Sequence, residues 1–84
     1  MGQHSRTKDE RFILKMYEVA SKTGDIEFVV NRYEIGRSIG MQEKGVDTIC
    51  VLLGQANFIK KAGKEEIFLT PQGEQLALRL LDEG

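Results

Sequence analysis

Two glycines four positions apart, Gly36 and Gly40, restrict the fold of this chain more than any other feature of its 84-residue sequence. Gly36 allows a neighbouring helix to pass close by, and Gly40 can adopt the left-handed conformation that ends a helix. Apolar residues flank both glycines, and Val46 and Ile49 follow at helical spacing. The pattern predicts two helices, over about residues 32–39 and 42–55, that are joined by a short turn at Gly40 and cross at a steep angle.

The flanking sequence supplies further elements. An amphipathic stripe predicts a first helix over residues 9–22, which ends near Gly24. The β-branched and aromatic run 26–30 predicts a short strand of two or three paired residues, and Asn31 is a suitable cap for the helix that follows. Asn57 is a suitable left-handed stop for the helix over residues 42–55.

After Asn57 the pattern of apolar residues changes from helical to that of extended strands. Runs 58–61 and 66–69 surround a polar tip that contains glycine, which predicts a β-hairpin. Thr70-Pro71 then begins a last helix, although Gly73 occupies the position where a capping box would place Glu. We expect four of its residues to be buried, namely Leu76, Ala77, Leu80 and Leu81. The predicted fold class is α+β, mostly α, in one domain over residues 1–84 with its core at about residues 9–81.

Composition argues against catalysis. The chain has one histidine, one cysteine, no phosphate-binding glycine loop and no clustered metal ligands. We therefore expect no enzyme activity, no cofactor and no metal. The net charge of −1 is unfavourable for binding a polyanion, but residues 1–64 hold eleven Lys and Arg against eight Asp and Glu, which allows a local basic face.

Cys50 lies among apolar residues at helical spacing, so we interpret it as a buried structural residue rather than a reactive thiol. A lone cysteine suits a reducing compartment. The sequence also contains no apolar run of membrane-spanning length and no secretory signal, so we expect a cytoplasmic protein.

The order helix, strand, helix, helix, strand, strand, helix, with the glycine-punctuated turn and the phrase Leu69-Thr70-Pro71-Gln72-Gly73, resembles the winged helix-turn-helix superfamily. This superfamily includes many bacterial and archaeal transcription regulators. The resemblance covers residues 9–81 and implies a three-helix core, a hairpin wing over residues 58–69 and a C-terminal helix. It also implies non-enzymatic binding of duplex DNA and a role in transcription regulation.

By position, the resemblance makes the helix over residues 42–55 the reader of the major groove. Its apolar stripe leaves Lys44, Asp47, Thr48, Val51 and Gln55 pointing outward, with Gln42 at the leading end. The candidate readers are Gln42, Lys44, Asp47, Thr48 and Val51. Their amide, ammonium, hydroxyl and methyl groups suit base edges, whereas the Asp47 carboxylate has fewer uses there and repels phosphate. The alternative interpretation is an ordinary solvated helix face.

For the DNA backbone, the candidates are Lys60, Lys61 and Lys64 around the wing tip, together with Arg37 on the preceding helix. Lysines also protect exposed strands against edge pairing, so this cluster has a second interpretation.

A second function class stays open. Winged helices also serve as protein-interaction modules, and a neutral third helix or an acidic last helix would suit docking to a protein partner. Leu52 and Leu78, which lie at the edge of or outside the buried stripes, would suit a homodimer contact. The DNA sequence recognised, the regulated genes and any effector do not follow from these residues.

Overall fold

A computed structural model describes residues 6–83 of the chain, so the single histidine, His4, lies outside the described residues. The fold is α+β and mostly helical, as the sequence predicted. Its elements, in chain order, are α1 (Lys8–Thr23), β1 (Val30–Asn31), α2 (Arg32–Ser38), α3 (Glu43–Gln55), β2 (Ile59–Lys61), β3 (Glu66–Leu69) and α4 (Pro71–Glu83).

Local backbone chemistry sets the ends of the helices, and the predicted caps are confirmed. The Asn31 side chain accepts hydrogen bonds from the first-turn amides of α2. Gly24 and Gly40 both have φ of 79°, and Asn57 has φ of 66°, so all three residues are left-handed stops. At the start of α1, Thr7 and Glu10 form a capping box that the sequence interpretation had not included.

The three strands form an antiparallel sheet in the order β1-β3-β2. Strand β3 is central, since Ile67 pairs with both Val30 of β1 and Lys61 of β2. The run 26–30 was predicted as a strand, but only its last residue, Val30, is paired. The amides of Glu27 and Phe28 bond back to Asp25, which makes a turn there instead of a longer strand.

The core lies where α1, α3 and the sheet meet. Its most buried large side chains are Phe12, Ile13, Met16, Val46, Ile67 and Leu69. Gly36 faces Val46 so closely that a Cβ at position 36 would overlap the valine side chain, which confirms the predicted close crossing of α2 and α3. Of the four residues expected to be buried in α4, Ala77 and Leu80 are buried and Leu76 is partly buried. The prediction is wrong for Leu81, which is 52 % exposed.

Helix α4 begins against the hairpin. The Thr70 hydroxyl donates to the carbonyl of Asn57 at 2.6 Å and accepts from the Gly73 amide at 3.0 Å. A Cβ at position 73 would collide with the backbone carbonyl oxygen of Phe58. Glycine therefore replaces the Glu of a capping box here because no side chain fits between α4 and the start of the hairpin.

Candidate nucleic-acid interface

The outward face of α3 carries the predicted readers. Gln42, Lys44, Thr48 and Val51 are all exposed, as expected from the helical period. Gln42 is the N-cap of α3 but makes no side-chain capping hydrogen bond, so its amide is not occupied by the helix. The Thr48 hydroxyl donates to the Lys44 carbonyl at 3.1 Å and retains its acceptor lone pairs.

Asp47 is the reader candidate with a different environment. Its Oδ1 accepts a 2.6 Å hydrogen bond from the Tyr33 hydroxyl and lies 3.9 Å from Nη1 of Arg32. The hydrogen bond to Asp47 raises the pKa of Tyr33, because the carboxylate favours the protonated phenol. The carboxylate thus fixes a tyrosine and balances a cation of α2, which makes it a weaker candidate for contact with bases.

Arg32 links α2 to the hairpin tip. It is only 7 % exposed, and its Nη2 and Nε donate to the carbonyl oxygens of Lys64 and Glu65 at 2.7 and 3.3 Å. Its backbone amide bonds the Glu65 carbonyl as well, at 3.0 Å. The guanidinium also lies 5.8 Å from the centre of the Tyr33 ring. The hairpin tip is therefore tied to the first turn of α2.

Neither Arg32 nor Tyr33 was identified from the sequence. The sequence did contain one indication that Arg32 is unusual. The positive end of a helix dipole disfavours a cation in the first turn of a helix. An arginine directly after the helix cap Asn31 therefore needs a local partner, and here the partners are tip carbonyls and Asp47.

The predicted lysine cluster is divided between the two faces of the hairpin. Successive residues of a strand point to opposite faces, and Lys60 and Lys61 are adjacent on β2. Lys61 faces α3, whereas Lys60 borders the start of α4 beside Pro71. Lys64 is exposed at the tip.

A groove of about 600 Å³ lies between α3 and the hairpin, and we call it the α3–hairpin groove. It brings together Asp47 and Val51 of the predicted reading helix and Lys61 of the predicted wing. Arg37 is exposed in the last turn of α2 and is not part of the groove lining. The full lining is Arg32, Asp47, Cys50, Val51, Gly54, Gln55, Ile59, Lys61 and Ile67.

Cys50 is buried, as predicted, and burial raises the pKa of its thiol to about 11. At neutral pH the thiol is therefore protonated and a poor nucleophile. Among residues 6–83, no group of three or more His, Cys, Asp and Glu is placed to hold a metal ion. In the same range, each helix is too short or too polar to cross a bilayer.

The chain matches no protein-family model, curated protein or solved structure with which it was compared.

Proposed function

We propose that this chain is a winged helix-turn-helix domain that binds duplex DNA, with α3 in the major groove and the β2–β3 hairpin as a wing on the phosphate backbone. One observation carries the proposal. Arg32 contacts both the hairpin tip and Asp47 of α3, so the reading helix and the wing border one groove and can meet the same duplex.

The chemistry of α3 supports a reading role. Its exposed face presents an amide from Gln42, an ammonium from Lys44 and a hydroxyl from Thr48. These groups suit adenine and guanine edges, and the methyls of Val51, which is 58 % exposed, suit a thymine methyl. Such a mixed polar surface provides sequence preference rather than bulk affinity.

Affinity for the backbone would come from exposed cations of the hairpin, α3 and α2. Lys61 and Lys64 of the hairpin and Lys44 of α3 are exposed, and Arg37 adds a charge at the end of α2. Carboxylates oppose these cations as well. Asp47 is paired with Arg32, and Glu65 at the hairpin tip accepts a hydrogen bond from the Asn31 side-chain amide at 3.1 Å. Glu43, in the first turn of α3, is a further acid that would face phosphate in this mode.

Docking to a protein is the second candidate, and exposed leucines favour it. Leu52 of α3 is 56 % exposed, and Leu78 and Leu81 of α4 are 45 % and 52 % exposed. Apolar side chains of this size on two helices suit a protein partner or a second copy of the chain.

Binding to a random-sequence duplex across salt concentrations tests the proposal. We expect the binding constant to fall as salt rises, and Glu43→Gln to tighten binding at every salt concentration because a charge opposing the phosphates is removed. The matched control is Glu34→Gln, which changes an exposed residue in the first turn of α2. A chain with no salt-dependent affinity for duplex, and no effect of Glu43→Gln, would contradict DNA binding and favour docking to a protein.

A further inference from the structure

We propose that the α3–hairpin groove is a binding site for a small organic anion with a flat apolar body. The groove volume of about 600 Å³ falls within the range of small-molecule sites. Three features specify the ligand class: a largely buried cation with one nitrogen that has no hydrogen bond within residues 6–83, a glycine that keeps one wall open, and an apolar floor.

The buried cation is Arg32. Two of its three guanidinium nitrogens are occupied by tip carbonyls, which holds the group rigidly in place. The third, Nη1, lies 3.9 Å from Asp47, which is beyond hydrogen-bonding distance. A carboxylate or sulfonate in the groove would gain a charge-assisted hydrogen bond from a donor that is already oriented.

Gly54 keeps the α3 wall of the groove open. A glycine inside a helix costs about 0.5–1 kcal/mol relative to alanine, so it usually has a packing reason. Here a Cβ would have no heavy atom within 4 Å, in contrast to the tight contacts at Gly36 and Gly73. The protein's own packing therefore does not require glycine at position 54, and the missing side chain leaves room in the groove for a ligand beside the helix backbone.

The apolar floor of the groove favours an organic anion over an inorganic one. Cys50, Ile59 and Ile67 line the groove beneath the exposed side chain of Val51. A bare phosphate would leave these apolar groups without a partner, whereas an aromatic body would cover them. Lys61 adds a second cation to the lining, so the polar end carries two positive groups against the single carboxylate of Asp47.

An occupant would also affect DNA binding. It would lie against Val51 and Lys61, which the duplex would contact in the proposed mode. A ligand of this class would therefore compete with DNA, and this consequence rests on the proposed function. The ligand site itself does not.

The probe is 1-anilinonaphthalene-8-sulfonate, an aromatic anion whose fluorescence rises in apolar sites, titrated into the full chain without DNA. Its neutral counterpart, N-phenyl-1-naphthylamine, lacks only the sulfonate. Gly54→Leu fills the groove while improving helix propensity, and Gly54→Ala adds a single methyl group. Leu81→Gln is the control, because Leu81 lines a second cavity of about 600 Å³ beside α1.

We expect Gly54→Leu and the neutral probe each to weaken binding about tenfold or more, and Gly54→Ala to weaken it by a smaller factor of about two to five, while Leu81→Gln changes it less than about twofold. Val51→Glu places a repelling charge at the exposed rim and should weaken binding about as much as Gly54→Leu. In nuclear magnetic resonance spectra, the amides of Cys50, Gly54 and Ile67 should shift.

Wild-type affinity in both Gly54→Leu and Val51→Glu would overturn the groove site, as would loss of binding in Leu81→Gln alone. Equal affinity for the neutral probe would overturn the anion requirement. If the probe binds as expected but the chain has no affinity for duplex, the ligand site stands and the proposed DNA-binding function fails.

Discussion

The guanidinium of Arg32 donates a 2.7 Å hydrogen bond to the carbonyl oxygen of Lys64, although the two residues lie 32 positions apart in the chain. This bond fixes the hairpin tip to the first turn of α2, and the same side chain approaches Asp47 on α3. One largely buried arginine therefore contacts both walls of the α3–hairpin groove.

Replacing Arg32 with methionine should loosen the hairpin tip. Methionine retains most of the buried aliphatic volume but removes the side-chain donors to the Lys64 and Glu65 carbonyls, whereas the backbone amide of residue 32 keeps its bond to Glu65. We expect the free energy of unfolding to fall by about 1–3 kcal/mol. Urea denaturation measures this decrease, and hydrogen exchange of the Ala62 amide, which bonds the Glu66 carbonyl, should accelerate.

Arg37→Met is the matched control for Arg32→Met, because Arg37 is exposed in the same helix. Its effect on unfolding should stay within about 0.5 kcal/mol. Equal destabilisation in the two variants would mean that the bonds of Arg32 to the tip do not stabilise the fold.

Gly73 and Gly54 should respond to alanine with opposite signs. Alanine at position 73 meets the Phe58 carbonyl, a backbone atom that cannot rotate away, so we expect stability to fall by about 1–3 kcal/mol. Alanine at position 54 meets open space and should stabilise the helix by about 0.5–1 kcal/mol. Thermal denaturation of both variants measures the difference, and a gain in stability for Gly73→Ala would contradict the close approach.

The sequence predicted the helices and most of their stops because these depend on neighbouring residues. Gly40 and Asn57 act through their own backbone geometry, and Asn31 acts through its side chain on two first-turn amides of α2, so a local pattern reports all three directly. The sequence showed that Gly73 interrupts a capping box, but it did not show why glycine is needed there. Glycine is needed because the backbone of Phe58 lies against position 73, and no local pattern contains that contact.

The candidate site was less predictable for the same reason. Helical periodicity correctly placed Lys44 and Thr48 on the exposed face of α3. It did not reveal that Asp47 is held by Tyr33 and Arg32, because that contact depends on how α2 crosses α3. The exposure of Leu81 was missed as well, since it depends on how α4 packs against α1 rather than on helical period.

The buried thiol of Cys50 should make stability depend on alkaline pH. Its folded-state pKa of about 11 lies above the ordinary value of 9.0, so only the unfolded chain releases the proton between these values. The contribution of the thiol to the free energy of unfolding is fully present below pH 9, and it decreases as the pH rises towards 11.

Cys50→Ala removes the titrating thiol, so the stability difference between wild type and variant should shift by about 2 kcal/mol across that pH range. Urea denaturation at several pH values measures both curves. Parallel pH dependence in the two proteins would mean that the thiol titrates normally in the fold, and rapid labelling of native Cys50 at neutral pH would lead to the same conclusion.

The division of the hairpin lysines predicts unequal effects on DNA binding. Lys61 faces α3 and Lys64 lies at the tip, whereas Lys60 points to the other face. In the proposed mode, Lys61→Gln and Lys64→Gln should each weaken binding to every duplex and lower the salt slope by about 0.9 for each phosphate that is no longer neutralised. Lys60→Gln should change the slope least, and an equally large change for Lys60→Gln would mean that the duplex does not approach from the α3 side.

Gln42 and Thr48 should govern which sequence is bound rather than how tightly the backbone is held. The Gln42 amide is not used for capping, and the Thr48 hydroxyl can accept while it donates to the Lys44 carbonyl. Selection from a random duplex pool should show that Gln42→Ala or Thr48→Ala relaxes preference at one or two base pairs, by about 1–3 kcal/mol each, with the salt slope nearly unchanged. Gln75→Ala, which changes an exposed residue of α4, is the control and should select the wild-type sequence. If both α3 variants also select the wild-type sequence, α3 does not read the bases, and docking to a protein through Leu52 and its neighbours becomes the better account of this helix.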